Sequence, residues 1–126
     1  MVQILVIDDD RHMRTACSRV LSKAGWTVIC AETGEEGLKE LRSGAQKIDV
    51  VLVDQLMPGL SGEDVLARIH TLDPNLPVVI MTGSATDEST IEQKRQGAFD
   101  CLGKPFTPDQ LRDVITKAVG KPSNNQ

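Results

Sequence analysis

Five short β-branched runs alternate with five stretches of helical periodicity, and no other feature limits so tightly what this chain can fold into. The runs are 2–7 (VQILVI), 26–31, 48–53 (IDVVLV), 77–81 (PVVIM) and 99–102. Several are nearly continuous in apolar residues, as strands buried on both faces are. Between them, 11–24 sets Met13, Cys17, Val20, Leu21 and Ala24 at three- and four-residue spacing, one apolar helix face. Leu38 and Leu41, then Val65, Leu66 and Ile69, then Leu111, Val114, Ile115, Ala118 and Val119 mark three more helices. Such alternation implies a parallel sheet with helices on both faces and right-handed crossovers.

The expected fold class is therefore α/β: a flavodoxin-like (βα)5 doubly wound sheet with strand order 2-1-3-4-5. Local signals agree. Gly25, Gly44, Gly97 and Gly120 stand where helices should end. Thr33 with Glu36 predicts a capping box, and Thr107-Pro108-Asp109-Gln110 predicts another with Pro at the first helical position. Ser61 is placed to cap the third helix. The stretch 86–96 has Ile91 as almost its only large apolar residue, which predicts a loosely held fourth helix. At 126 residues one domain is expected, over 1–120, with 121–126 (KPSNNQ) a polar tail or the start of a linker.

Composition removes several functions. Fourteen Lys and Arg against eighteen Asp and Glu give a net charge of −4, with no basic stripe to neutralise phosphates. Only Trp26, Phe99 and Phe106 are aromatic, too few for a base-stacking surface. Direct nucleic-acid binding by this domain is not expected. No apolar run approaches the ~20 residues that span a bilayer, and the N-terminus lacks a basic flank and a cleavage site, so a cytoplasmic chain without a membrane partner is expected. Cys17, Cys30 and Cys101 form no CxxC and read as small apolar core residues. His12 and His70 read as surface residues, and Met13, Met57 and Met81 as packing. No glycine-rich phosphate loop follows the first strand.

Chemistry should sit beyond the carboxyl ends of the strands. Asp8, Asp9 and Asp10 follow the first strand, Asp54 the third, Thr82 the fourth and Lys104 the fifth. Since strands one and three are neighbours in this topology, Asp8, Asp9 and Asp54 should lie close together. Clustered carboxylates repel by about 4 kcal/mol per close pair at an effective dielectric of about 20. A hard divalent cation such as Mg²⁺ would compensate, and so would Lys104. Each residue alone is as easily a solvated loop residue. Matching positions at four strand ends favour a site. A carboxylate such as Asp54 can act as a nucleophile towards a phosphoryl group, forming an acyl phosphate. Asp9, Lys104 and Thr82 are residue types suited to neutralising phosphoryl oxygens.

In the order ILVIDDD, VVLVDQLMPGLSG, VVIMTG and GAFDCLGKPF, with this spacing, residues 2–119 resemble the receiver domain of two-component response regulators. The resemblance implies that Asp54 is the phosphorylated aspartate. It implies that Asp8, Asp9, Asp54 and the backbone carbonyl of Leu56 bind Mg²⁺, Asp8 mostly through water. Thr82 would be the hydroxyl that turns to the phosphoryl group, and Lys104 the lysine that pairs with it. Pro105 would follow a cis peptide bond. The implied donor is a sensor histidine kinase or a histidine phosphotransfer protein. The implied readout surface is the fourth helix, fifth strand and fifth helix, serving a homodimer or an output module, transcriptional by analogy. One departure stands out: where the family often has Tyr or Phe, three residues before the lysine, this chain has Cys101. Phe99 is only a weak substitute. Leu56 lies, in the family, beside the path of the hydrolytic water and offers it no hydrogen bond, which predicts slow self-dephosphorylation. The expected catalysis is limited to the domain's own phosphorylation and dephosphorylation. The other readings are a small Mg²⁺-dependent phosphatase using Asp54, for which short loops leave little pocket, and a binding module that no longer takes phosphate.

Overall fold

A computed structural model describes residues 1–83 and 86–120; the predicted tail at 121–126 lies outside them. The order of elements is β1 (Gln3–Ile7), α1 (Arg11–Lys23), β2 (Thr27–Ala31), α2 (Gly34–Ser43), β3 (Val50–Asp54), α3 (Gly62–Leu72), β4 (Val78–Thr82), α4 (Asp87–Arg95), β5 (Asp100–Gly103) and α5 (Pro108–Val119). All strand pairs are parallel, in the order β2-β1-β3-β4-β5. This is the predicted flavodoxin-like sheet.

Side-chain alternation sorts each strand between two cores. Ile4 and Val6 of β1, with Val50, Leu52, Val79, Met81 and Leu102, meet Cys17 and Leu21 of α1 and Leu111, Val114 and Ile115 of α5. Leu5 and Ile7, with Val51, Val53, Val78 and Ile80, meet Leu38 of α2 and Val65, Leu66 and Ile69 of α3. The central strands are buried along their whole length, as their continuous apolar runs require.

The structure corrects several local readings. The third strand begins two residues later than its apolar run and includes Asp54; the fourth includes Thr82. Thr33 caps α2 by accepting from the Glu36 N–H, but no reciprocal box forms, because Glu36 turns its carboxylate to the Glu32 N–H instead. Boxes form at Ser61, Thr86 and Thr107. Gly97 takes φ +110°, a conformation that favours glycine; an added Cβ there would also lie 2.5 Å from the ring of exposed His70, which would have to move aside. Gly120 ends α5 without a left-handed turn. Cys17 is buried as expected, but Cys30 is exposed on the edge strand β2 and Cys101 is half-buried. Phe99 precedes β5 and packs on the α1–α5 side, whereas Cys101 faces α4, so Phe99 does not share its face.

Candidate functional site

The ends of β3, β4 and β5 are tied to one another by backbone hydrogen bonds, and the end of β1 is tied to β2 by the bond from Asp8 N–H to the Ala31 carbonyl. Gln55 N–H donates to the Met81 carbonyl at 2.8 Å, and Lys104 N–H donates to the Thr82 carbonyl at 2.7 Å. The loop after β3 folds back so that Gly62 N–H donates to the Gln55 carbonyl at 2.9 Å. A Cβ on Gly62 would sit 2.7 Å from the Asp54 carbonyl oxygen, so α3 can start this close to Asp54 only with glycine there. The peptide bond between Lys104 and Pro105 is cis.

On this frame Asp8, Asp9 and Asp54 each offer a carboxylate oxygen, all within 4.8 Å of one another. Asp8 is fully buried, Asp54 nearly so, and Asp9 exposed. Asp10 stands apart as the N-cap of α1, accepting from His12 N–H. Lys104 reaches across from the end of β5: its Nζ is 2.9 Å from Asp54 Oδ1 and 3.6 Å from Asp8 Oδ2. The predicted convergence of the strand-end aspartates and the lysine is therefore present. Leu56 is 77% exposed in the loop beyond Asp54. Thr82 is buried and donates its hydroxyl hydrogen to Gln55 Oε1.

Charge is unevenly satisfied. Asp8 Oδ1 accepts from Asp10 N–H at 2.9 Å, but Asp8 Oδ2 accepts no hydrogen bond among the described residues. Burial, set partly against the bond from Asp10, raises the Asp8 pKa above the ordinary carboxylate value, and Asp54 adds to the rise. For Lys104, burial works against its charge, but the hydrogen bond to Asp54 and the nearness of Asp8 outweigh it, and its pKa is raised. A buried acidic oxygen without a donor, facing an all-oxygen cluster, suits a hard divalent cation.

Sequence reasoning missed three polar residues behind the cluster. Gln55 Nε2 donates to Glu63 Oε2 at 2.8 Å, and Gln93 Nε2 donates to the same oxygen at 3.0 Å. The Cys101 thiol donates to Gln93 Oε1. The signal was available: a fourth helix without an apolar face needs an anchor of another kind.

A doubly wound sheet with an acidic cluster and a lysine at its carboxyl edge defines a class of small α/β domains that carry a charged site beyond the strand ends. Within that class, the chain belongs to the response regulator receiver domain family, whose model matches residues 4–116. It is 38% identical over 116 residues to the DNA-binding transcriptional regulator NtrC of Escherichia coli K12, covering 92% of this chain but 24% of that protein. It is 32% identical over 122 residues to sporulation initiation phosphotransferase F of Bacillus subtilis, covering 97% of each. A receiver domain structure from Clostridium thermocellum superposes with a TM-score of 0.88 at 35% identity, covering 94% of both chains. The chain thus spans about a quarter of the length of NtrC-type relatives. Among the described residues no helix is long and apolar enough to cross a membrane.

Proposed function

We propose that this domain is a phosphorylation-controlled switch whose phosphoacceptor is Asp54. The carrying observation is the Lys104 ammonium, bonded to Asp54 and close to the unsatisfied oxygen of Asp8. An Asp54 carboxylate oxygen attacks the phosphorus of a phosphohistidine on a sensor kinase or histidine phosphotransfer protein. The P–N bond breaks, the imidazole nitrogen leaves and takes a proton from solvent, and Asp54 holds an acyl phosphate. Lys104 stays beside the phosphoryl group and offsets its charge, and the Thr82 hydroxyl is within the same strand-end cluster to donate to it. Asp8, Asp9, Asp54 and the Leu56 carbonyl would hold Mg²⁺, which when bound neutralises further phosphoryl charge.

The domain turns over only its own acyl phosphate, works in the cytoplasm, and spans 1–120. The α4–β5–α5 face carries the output, to a second copy or to an effector, transcriptional by analogy with the NtrC and DctD regulators. The test is incubation with acetyl phosphate and Mg²⁺ followed by intact mass. One phosphoryl adduct, lost in Asp54→Asn, is expected. No adduct, or one that persists in that variant, refutes the assignment. Continuous turnover of phosphate monoesters would instead favour a phosphatase.

A further inference from the structure

Among the described residues, four of the five helices dock through a buried leucine: Leu21 in α1, Leu38 in α2, Leu66 in α3 and Leu111 in α5. Helix α4 has none. Its Ile91 is 54% exposed, and its one buried side chain is the amide of Gln93, 3% exposed. That amide is bonded at both ends. Its nitrogen donates to Glu63 Oε2, and its oxygen accepts from the Cys101 thiol at 2.6 Å. Glu63 Oε2 takes a second N–H from Gln55, whose own oxygen accepts the Thr82 hydroxyl. A carboxylate only accepts, so both amides must turn their nitrogens to Glu63 and their oxygens outward, one to Thr82 and one to Cys101. The outcome is an unbroken run of side-chain hydrogen bonds from the end of β4, through the start of α3, into α4 and β5.

We infer that this run couples the Asp54 site to the α4–β5 face, with Gln55 and Glu63 as positioning residues for Thr82 and Gln93. The inference rests on the proposed phosphoryl transfer to Asp54. The Thr82 hydroxyl has one hydrogen to donate, and it serves either Gln55 Oε1 or a phosphoryl oxygen, not both. When it turns to the phosphoryl group, the Gln55 amide loses a donor and its fixed orientation. Glu63 then holds one of its two N–H partners less firmly, and Gln93 loses part of its support. Because α4 has no apolar anchor to keep it seated, the change at Gln93 reaches the helix backbone. In this chain the half-buried Cys101 is a terminal hydrogen-bond donor of the coupling.

Amide hydrogen exchange over residues 87–95, with and without acetyl phosphate and Mg²⁺, tests this on the whole chain, with intact mass scoring the adduct in the same samples. In the wild type, phosphorylation should speed α4 exchange roughly tenfold, the effect of weakening one buried hydrogen-bonded group. Gln93→Leu supplies an apolar anchor with no hydrogen-bonding ends. It should still form the adduct yet abolish the phosphorylation-dependent change. Gln55→Leu should raise α4 exchange before phosphorylation and leave little further change. An equal phosphorylation-dependent change in wild type and Gln93→Leu overturns the coupling while sparing the phosphoryl reading. Absence of any adduct in the wild type overturns that reading, and the coupling with it.

Discussion

Asp8→Asn should make the metal-free protein more stable. Asp8 is fully buried, and its Oδ2 has no hydrogen-bond partner among the described residues. Its carboxylate lies within 4.8 Å of those of Asp9 and Asp54; at that distance and an effective dielectric of about 20, a pair of full charges repels by about 3.5 kcal/mol. The Lys104 ammonium, 3.6 Å from Oδ2, attracts by about 4.6 kcal/mol on the same scale. The Lys104 and Asp54 interactions therefore nearly cancel. What remains is the burial of the Asp8 charge and a screened repulsion from exposed Asp9. Asparagine keeps the oxygen that accepts from Asp10 N–H and removes the charge. We expect a gain of about 1–2 kcal/mol. With an m-value of about 2 kcal/mol/M, the urea midpoint in EDTA near neutral pH should rise by about 0.5–1 M. The pH dependence has a definite sign. The folded Asp8 pKa is raised, so the folded state binds the proton more tightly than the unfolded state. Wild-type stability in EDTA therefore falls as pH rises from the ordinary value of 3.8 through the raised one, and Asp8→Asn removes that part of the fall. Added Mg²⁺ should lift the wild-type midpoint much more than that of the variant. An unchanged or lower midpoint in EDTA, or an equal response to Mg²⁺, refutes the reasoning.

Three other outcomes are expected. Gly62→Ala places a methyl group 2.7 Å from the Asp54 carbonyl oxygen and should cost about 1–3 kcal/mol, read as a lower urea midpoint with reduced adduct formation at Asp54. Burial pushes the Cys17 thiol from 9.0 up to about 12. The folded state thus keeps a proton that the unfolded state releases above pH 9, and stability should fall by about 1.4 kcal/mol per pH unit between the two values, a slope that Cys17→Ala removes in denaturation series. Leu56, 77% exposed beyond Asp54, offers no hydrogen bond to an incoming water, so Leu56→Asn should shorten the acyl-phosphate lifetime several-fold; an unchanged decay rate would show that this side chain does not govern hydrolysis.

The sequence alone determined the fold class, because continuous β-branched runs separated by one-faced helices admit a parallel doubly wound sheet and little else. It also determined the residues at the carboxyl edge, since strand ends fall at fixed places in that topology: Asp8, Asp9, Asp54, Thr82 and Lys104 needed no coordinates to be singled out. Interactions that depend on where a long side chain points were not legible. Glu36 satisfies a capping pattern but bonds to Glu32, because a neighbouring N–H competes for the same carboxylate. Phe99 sits two positions from Cys101 yet packs on the opposite side, because the strand begins only at Asp100. Gln55 lies in the loop after β3, Glu63 in α3 and Gln93 in α4, with no shared spacing, and only the tertiary packing of that loop with α3 and α4 brings their amide and carboxylate groups within bonding distance. Periodicity records which face of an element is buried; only the assembled tertiary structure decides which polar groups meet there.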